Sequence, residues 1–281
     1  MKKILPLLVV AAMLMSGLAQ AQTTPTQDKP QDKPPDKPAE TAADKPPQPA
    51  KLLIYHSSTS ISFLLARGNN KTLSFSFDTD QNIGIKKDSL NLKGTLIYAR
   101  DNGFMTNEIY YTHLKYNHQL GEGAYLLSLA RFERNVLAGY PSRFSFSAGG
   151  GWTWIKTSKF ALFSDLAVGW SSENSAAKVN LGDVTGPPVE KSLNSSFLST
   201  IFTSRVTFSL TPTSQVIHQE VVFVNMHDVS DYRVNSMSSL SASFSRYFGL
   251  KMTVQVNYER KPVLGYKNTD VFLISSLVIG I

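Results

Sequence analysis

The segment 251–281 constrains the fold most, because its residue pattern fits extended chain. In its first half, polar side chains fall on odd positions and apolar side chains on even positions. Successive side chains of a β-strand point to opposite faces, so this half is predicted to be a strand with one polar and one apolar surface. After a turn, a second alternating strand runs to the final residue. Such a strand has no downstream segment to cover its edge, so we expect it to find a partner by closing the sheet into a barrel.

The same period of two continues through the chain from about residue 52, without a convincing helical period. Clusters of Gly, Asn, Asp, Pro and Ser separate the alternating segments. The predicted strands are the segments 52–67, 71–83, 88–101, 106–119, 124–136, 142–156, 160–172, 192–211, 214–226, 233–247, 250–261 and 269–281. Their even number is typical of bacterial single-chain barrels, so the predicted fold is an all-β, antiparallel, up-and-down transmembrane barrel of about twelve strands.

The connections between these segments alternate in length. The compact ones are 121–123, 157–158, 211–213 and 248–249. The longer ones are 100–105, 137–142, 173–191, 227–232 and 262–268. Only the first connection, 68–71, is short where a long loop is expected. Short turns on one rim and longer loops on the other are typical of a transmembrane barrel with both termini on the periplasmic side.

Alternation alone does not say which face of the sheet points outward. Eight strands can fill their interior with side chains, whereas an apolar lumen of twelve strands would leave a large void. The apolar face is therefore predicted to meet lipid, with aromatic residues near strand ends forming interfacial girdles. Charges of both signs are then predicted to face the lumen, where they can pair across it. They are Lys93, Lys115, Arg131, Glu133, Asp165, Arg205, His218, Glu220, Lys251 and Glu259.

The N-terminal region has the features of an exported protein. Residues 1–21 combine two lysines, an apolar run and a small-residue cleavage site, which is the layout of a secretory signal peptide. Residues 22–50 repeat a degenerate Asp-Lys-Pro motif with almost no apolar side chains, which predicts a disordered periplasmic tether. Residues 51–281 then form the barrel domain. The expected location is the outer membrane of a bacterium.

Composition excludes several classes of function. The chain has no cysteine, so neither a disulfide nor a thiolate metal site is possible. The net charge of +7 is a mild basic excess and gives no argument for nucleic-acid binding, especially after export. No run of about 18 apolar residues follows the signal, which excludes a transmembrane helix but leaves barrel strands open.

Four segments, in order and at suitable spacing, resemble the YdiY-like salt-induced outer-membrane protein family. They are residues 131–135 with Gly139, Tyr140 and Arg143, the triple glycine 149–151, residues 231–236, and residues 265–270 with Ser276 and Leu277. The family is a bacterial domain of unknown function, and the resemblance covers most of residues 55–281. It implies an outer-membrane β-barrel and supplies no catalytic residues. The C-terminal strand of this chain is expected to be recognised by the barrel assembly machinery.

A tyrosine beside a cation recurs on the predicted long-loop rim, in residues 139–143, 231–233 and 265–267. This pairing suits a membrane interface, with the ring at headgroup depth and the charge reaching outward. One interpretation is an interface anchor. The other is that basic side chains contact phosphates of outer-leaflet lipopolysaccharide. The candidates are Arg100, Arg143, Arg233, Lys261 and Lys267.

Two classes of function remain. The first is a non-enzymatic barrel of structural or narrow-pore type, connected with envelope or osmotic stress by the family's name. The second is an outer-membrane phospholipase or lipid A deacylase, or a soluble periplasmic barrel that carries a ligand. The first class is the prediction.

The enzyme alternative would need a serine activated by a histidine that an Asn, Asp or Glu orients. The histidines are scattered, and His113 and His218 are predicted to join polar networks in the lumen. His227 with Asp228 and Asp231 would be a candidate metal site, but solvated loop residues are the simpler interpretation. No cofactor or metal is therefore expected.

Overall fold

The computed structural model describes residues 53–66, 72–179 and 189–280. The predicted signal peptide and the predicted tether lie outside these residues. Within the described ranges, no helix is long and apolar enough to cross a membrane.

Twelve β-strands make up almost the whole described chain. They are β1 (Ile54–Ala66), β2 (Thr72–Ile85), β3 (Asp88–Asp101), β4 (Phe104–Gln119), β5 (Ala124–Asn135), β6 (Tyr140–Lys156), β7 (Phe160–Val179), β8 (Val189–Thr211), β9 (Ser214–Asn225), β10 (Tyr232–Ser243), β11 (Phe248–Glu259) and β12 (Thr269–Gly280). One 3-10 turn, Val136–Ala138, separates β5 from β6.

Each strand pairs antiparallel with its neighbours in sequence, and β1 pairs with β12, so the sheet is a closed up-and-down barrel. The closing pairs run from Ser58 opposite Gly280 to Ile61 opposite Leu277. The predicted fold and strand number are thus confirmed. Closure removes the free edge that the terminal strand would otherwise expose.

Three connections differ from the prediction. The predicted loop 100–105 is a two-residue turn, because Asn102 and Gly103 adopt φ of 49° and 86°. Positive φ at both central residues is what a type I′ hairpin turn requires, and Asn-Gly favours it. The short turn predicted at 248–249 lies instead between Ser243 and Phe248.

The third difference is the hairpin of β7 and β8, which is longer than predicted. Pairing continues from Phe160 opposite Phe208 out to Val179 opposite Val189. Residues 173–179 and 189–191 therefore belong to strands and not to a loop. Small and polar side chains in this extension obscure the period of two that marks the rest of both strands.

Side-chain exposure confirms that the apolar face points outward. In β7, Leu166 and Trp170 are 52% and 47% exposed, whereas the intervening Asp165 and Ala167 are 4% and 1% exposed. A sheet whose outer surface is apolar and whose inner surface is polar has the polarity of a barrel that spans a membrane.

One side of the lumen is nevertheless apolar. A buried cluster lines the inner surfaces of β5, β7, β8 and β9, and Val221 packs against it. Within it, the rings of Phe197 and Phe223 meet edge to face with centroids 6.1 Å apart. This cluster fills part of the lumen width, so polar side chains crowd into the remaining part. Its members are Tyr125, Leu127, Leu129, Ala167, Phe197, Ile201 and Phe223.

We predict that Gly149→Ala destabilises the barrel. A Cβ at Gly149 would lie 2.0 Å from the carbonyl oxygen of Leu166 and 2.6 Å from Cα of Ala167, so the backbones of β6 and β7 would have to separate. Overpacking of this kind costs about 1–3 kcal/mol. The measurement is the temperature at which the folded band converts to the unfolded band on a denaturing gel.

Gly150→Ala is the matched control, since its Cβ would meet nothing closer than an oxygen of Tyr125 at 3.5 Å. Equal conversion temperatures for the two variants would contradict the close approach of β6 and β7.

Candidate functional site

Six side chains meet inside the barrel at the long-loop rim, and we call them the mouth network. They come from the ends of β5 and β11, the starts of β6 and β10, and the middle of β7, whose extension carries it past the rim. They are Glu133, Tyr140, Arg143, Glu173, Arg233 and Glu259.

Arg143 holds three carboxylates together. Its Nη1 lies 3.2 Å from Oε2 of Glu133, and its Nε lies 3.1 Å from Oε2 of Glu173. Its Nη2 is 3.7 Å from Oε1 of Glu259. The Arg143 side chain is only 9% exposed. The planar guanidinium fork can therefore join strands β5, β6, β7 and β11 at one point.

Arg233 joins the network through Glu173. Its Nη2 donates to both carboxylate oxygens of Glu173, at 2.9 and 3.2 Å. Since Glu173 also accepts from Arg143, this one carboxylate links the two arginines. Like charges so close together are tolerated because carboxylates lie between and beside them.

Tyr140 lies under both guanidinium groups. Its ring centroid is 3.8 Å from Cζ of Arg143 and 5.1 Å from Cζ of Arg233. Arg233 also contacts the ring of Phe223, at 5.2 Å from the centroid. Aromatic faces attract desolvated cations, so these rings replace part of the hydration that the arginines lose.

The loop between β11 and β12 packs against this end of the barrel. Gly139 has φ of 84°, and a Cβ there would lie 2.8 Å from both the Tyr266 ring and the Val263 side chain. The loop therefore contacts the 3-10 turn that leads into Tyr140. Turn, loop and mouth network together narrow the long-loop end of the lumen.

Two cavities occupy the lumen. One of about 130 Å³ adjoins the mouth network and extends to His113 and Arg131. The other, of about 510 Å³, lies towards the short-turn rim. Lys93, Gln219 and Met237 line both cavities, so the cavities meet at this level.

Further charge pairs brace the lumen wall. Lys251 donates to Oδ1 of Asp78 at 3.0 Å, and Lys115 pairs with Asp165. Asp78 also accepts from the hydroxyl of Thr95 at 2.8 Å. These two pairs join β11 to β2 and β4 to β7 in the described part of the lumen wall.

The structure places eight of the ten predicted lumen charges inside the barrel. They are Lys93, Lys115, Arg131, Glu133, Asp165, Arg205, Lys251 and Glu259. The other two, His218 and Glu220, require a correction, because they point outward. On β9 the odd-numbered residues from Gln215 to Phe223 line the cavities, so the even-numbered ones face the membrane.

Two of the predicted headgroup contacts also require a correction. Arg143 and Arg233 are each 8% exposed and pair with Glu173 inside the lumen, so they do not reach lipid headgroups. Their odd positions on β6 and β10 turn them inward. Arg100 lies on the outer surface beside Tyr98, with its Cζ 5.6 Å from the ring centroid. Lys267 is exposed and lines the cavity near the mouth.

Lys261 is exposed in the loop after β11, where it pairs with Asp228. Its Nζ lies 2.5 Å from Oδ2 of Asp228. This hydrogen bond, together with one from Ser230, lowers the pKa of Asp228 to about 2. The Asp228 carboxylate therefore stays ionised at neutral pH. Its contribution to stability is fully present above the ordinary aspartate pKa of 3.8 and is lost as the pH falls towards 2.

Sequence reasoning missed Glu173, which the prediction placed in a loop. The available signal was parity, because Glu173 continues the inward series of Asp165, Ala167 and Ser171 along β7. Tyr140 was assigned to the membrane interface, yet it is 2% exposed inside the network. Among the residues that the structure describes, no group of three or more His, Asp or Glu is arranged to hold a metal.

These features define a closed transmembrane β-barrel whose lumen is narrowed at one end by buried ion pairs. The chain belongs to the family described as a protein of unknown function, DUF481, whose model matches residues 59–281. The family assignment made from the four sequence segments is thereby confirmed. No curated protein matches the chain.

Solved structures to which the chain is similar include a porin, the translocator domain of an autotransporter and a hydrocarbon channel. The NanC porin is 10% identical, with a TM-score of 0.41 over 80% of this chain and 97% of that one. The translocator domain of the autotransporter NalP from Neisseria meningitidis is 11% identical, with a TM-score of 0.41 over 84% and 89%. The CymD monoaromatic hydrocarbon channel is 7% identical, with a TM-score of 0.38 over 81% and 87%. Similarity at this level concerns the barrel architecture alone.

We predict that Glu173→Gln lowers the stability of the barrel. The change leaves Arg143 and Arg233 buried without the carboxylate that they share. Breaking a buried pair on one side costs about 3–5 kcal/mol. The measurement is the midpoint of unfolding in guanidinium chloride in detergent.

Glu122→Gln is the control, because Glu122 is exposed in the turn between β4 and β5. If both variants unfold at the wild-type midpoint, Glu173 does not hold the arginines in place.

Proposed function

We propose that the protein is exported and spans the bacterial outer membrane as a narrow-pore barrel whose mouth is closed by the ion-pair network. The outward apolar surface and the closed ring of strands support the location. The observation that carries the pore proposal is Glu173, which pairs with Arg143 on the adjacent strand β6 and reaches Arg233 on the non-adjacent strand β10 at the rim. The proposal assigns no covalent chemistry to the lumen.

The closed state is the default in this proposal. The mouth network draws together β5, β6, β7, β10 and β11, and the loop between β11 and β12 packs beside it. Below it, the two cavities give water and small ions a polar route towards the short-turn rim. Removing positive charge from the mouth therefore opens the route and leaves its carboxylates in place.

We predict that the double variant Arg143→Gln/Arg233→Gln conducts more than the wild type in planar bilayers. Glu133, Glu173 and Glu259 remain at the mouth without their cations, so the open pore should prefer cations. The measurement is single-channel conductance and the reversal potential in a salt gradient. Arg100→Gln is the matched control, since it removes an outward-facing arginine.

Heat-dependent gel mobility is measured on every variant, so that only folded barrels are compared. If the folded wild type and the folded double variant have equal conductance, whether both conduct or neither does, the ion pairs do not close the mouth. The second case would favour a purely structural barrel.

We also propose a role in envelope or osmotic stress. Glu133 and Glu259 are 25% and 15% exposed, so ions from the bath reach part of the network. Salt screens such pairs. The conductance of the wild type, divided by the conductivity of the bath, should therefore rise between low and high salt. If the ratio of conductance to bath conductivity is the same at low and high salt, the mouth network does not respond to salt.

Lipopolysaccharide is the proposed lipid partner, through Arg100, Lys261 and Lys267. Arg100 supports this best, because it lies outside the barrel at the long-loop rim against the Tyr98 ring. The last strand, β12, is the proposed contact with the barrel assembly machinery, since it closes the ring against β1.

We predict that Arg100→Gln reduces the lipopolysaccharide that co-purifies with the barrel, because one outward cation at headgroup depth is lost. The measurement is bound lipopolysaccharide per barrel after detergent washing. Arg131→Gln is the control, since Arg131 faces the lumen. If the Arg100→Gln variant retains as much lipopolysaccharide as the wild type, Arg100 does not contact it.

A further inference from the structure

A histidine, a glutamate and a serine lie together on the outer wall of the barrel, on the face of the sheet opposite to the mouth network. Nδ1 of His218 is 2.9 Å from Oγ of Ser238, and Nε2 of His218 is 3.3 Å from Oε1 of Glu220. We call these three side chains the wall triad. His218 and Ser238 are directly opposite each other on β9 and β10, and Glu220 is two residues along β9.

The wall triad faces outward, within the apolar belt. The alternate residues of β9 and β10 line the cavities, and Leu240, two residues after Ser238, is 48% exposed on the outer face. Val206 and Val254 flank the His218–Ser238 pair on β8 and β11. The His218 and Glu220 side chains are 44% and 34% exposed, so lipid has access to them.

Ionisable side chains on a lipid-facing surface are costly. Charges placed there destabilise barrels in a depth-dependent way, most at mid-bilayer and least near the interfaces, and ionisable residues inside a membrane are candidates for functional sites. Folding does not require this cost, because an aliphatic side chain fits an outward position of β9, as at Val216 and Val222. The wall triad therefore calls for a role of its own.

The three side chains are arranged as they are around an activated serine nucleophile, with the histidine between the carboxylate and the hydroxyl. A proton on Nε2 of His218 would lie beside Oε1 of Glu220, at an Nε2–Oε1 distance of 3.3 Å, so the carboxylate favours this tautomer. Nδ1 is then free to accept from the hydroxyl of Ser238. A serine hydrogen-bonded to a histidine that a carboxylate orients is the arrangement that forms acyl-enzyme intermediates.

Depth in the bilayer indicates the substrate. His218 is four residues from Ser214, where β9 begins at the short-turn rim. At about 3.3 Å per residue and a tilt near 40°, its height above that rim is roughly 10 Å. A headgroup layer is roughly 5–8 Å thick on each side of a bilayer. The wall triad therefore lies near the depth at which acyl chains join the headgroup.

We propose that the wall triad hydrolyses acyl esters of membrane lipids, with Ser238 as nucleophile, His218 as general base and Glu220 as the positioning residue. This activity is independent of the pore proposed above.

In the first step, Oγ of Ser238 forms a bond to the ester carbonyl carbon as its proton passes to Nδ1 of His218. The tetrahedral intermediate collapses, the bond from carbonyl carbon to alcohol oxygen breaks, and the lipid alcohol leaves with that proton. Water then attacks the acyl-serine and gives its proton to His218. The bond to Oγ breaks, Ser238 regains the proton, and the fatty acid is released.

The test uses the full-length barrel reconstituted in vesicles of a glycerophospholipid, and in parallel with lipopolysaccharide, so that the two sources of acyl ester are distinguished. Release of free fatty acid is measured, and a fluorophosphonate probe is mapped by mass spectrometry. We expect release from at least one lipid and labelling at Ser238.

Ser238→Ala should abolish labelling and release, and His218→Asn should slow release by about 10²–10⁴-fold. Glu220→Gln should lower kcat with KM unchanged, and Glu220→Asp should restore part of it. Ser172→Ala is the matched control, because Ser172 is an outward serine whose hydroxyl contacts Ser196 and not a histidine.

Heat-dependent gel mobility again confirms that each variant is folded. A folded wild type that neither releases fatty acid nor reacts with the probe overturns the proposal, and so does labelling at another serine. A change of oligomeric state in Ser238→Ala and Glu220→Gln, without hydrolysis by the wild type, would identify the patch as an interface between copies of the chain.

Discussion

The constraint on which this structure depends is that a strand inside a bilayer has no water to satisfy its backbone amides. Twelve antiparallel strands meet that requirement by closing, with β12 paired to β1. Closure gives the sheet an outer face and an inner face, and these faces differ in polarity. Side chains alternate across a strand, so an outer face that meets lipid turns the polar half of the sequence inward. The charges of the lumen follow from the apolar surface outside.

A confined lumen with charges of both signs favours pairing over hydration. An isolated charge in a narrow, partly apolar space loses much of its solvation, and a carboxylate between two guanidinium groups recovers part of that loss. Glu173 does this for Arg143 and Arg233 at the rim. The apolar cluster on one side of the lumen adds to the effect, because it narrows the space that water can occupy. The mouth is therefore narrowed by ion pairs between strands of the wall.

Much of this architecture, including the face on which each side chain lies, can be predicted from alternation, whereas the contacts between side chains of non-adjacent strands, such as Glu173 with Arg233, cannot. The period of two gave the strands and the lipid face, because it is repeated many times. The pattern did not predict the extension of β7 beyond Glu173, because small and polar side chains there hide the period of two. It also misplaced two turns, those predicted at 100–105 and at 248–249. Arg143 and Arg233 were assigned to headgroups because Tyr140 and Tyr232 stand beside them, although their own parity turns them inward. His218 and Glu220 were assigned to the lumen because they are polar, and here parity would also have corrected the assignment.

That last error shows what a departure from pattern means in a barrel. A polar side chain on the inner wall needs no explanation, since the lumen is wet. The same side chain on the outer wall stands against the preference that organises the whole sheet. On β9, the outward series reads Val216, His218, Glu220 and Val222, so two ionisable residues interrupt an aliphatic row. His218 meets Ser238 of the adjacent strand at hydrogen-bond distance, and Glu220 lies 3.3 Å from the same imidazole. The wall triad thus joins a serine, a histidine and a carboxylate that can exchange a proton, and the proposed chemistry on lipid gives this arrangement a role that folding does not.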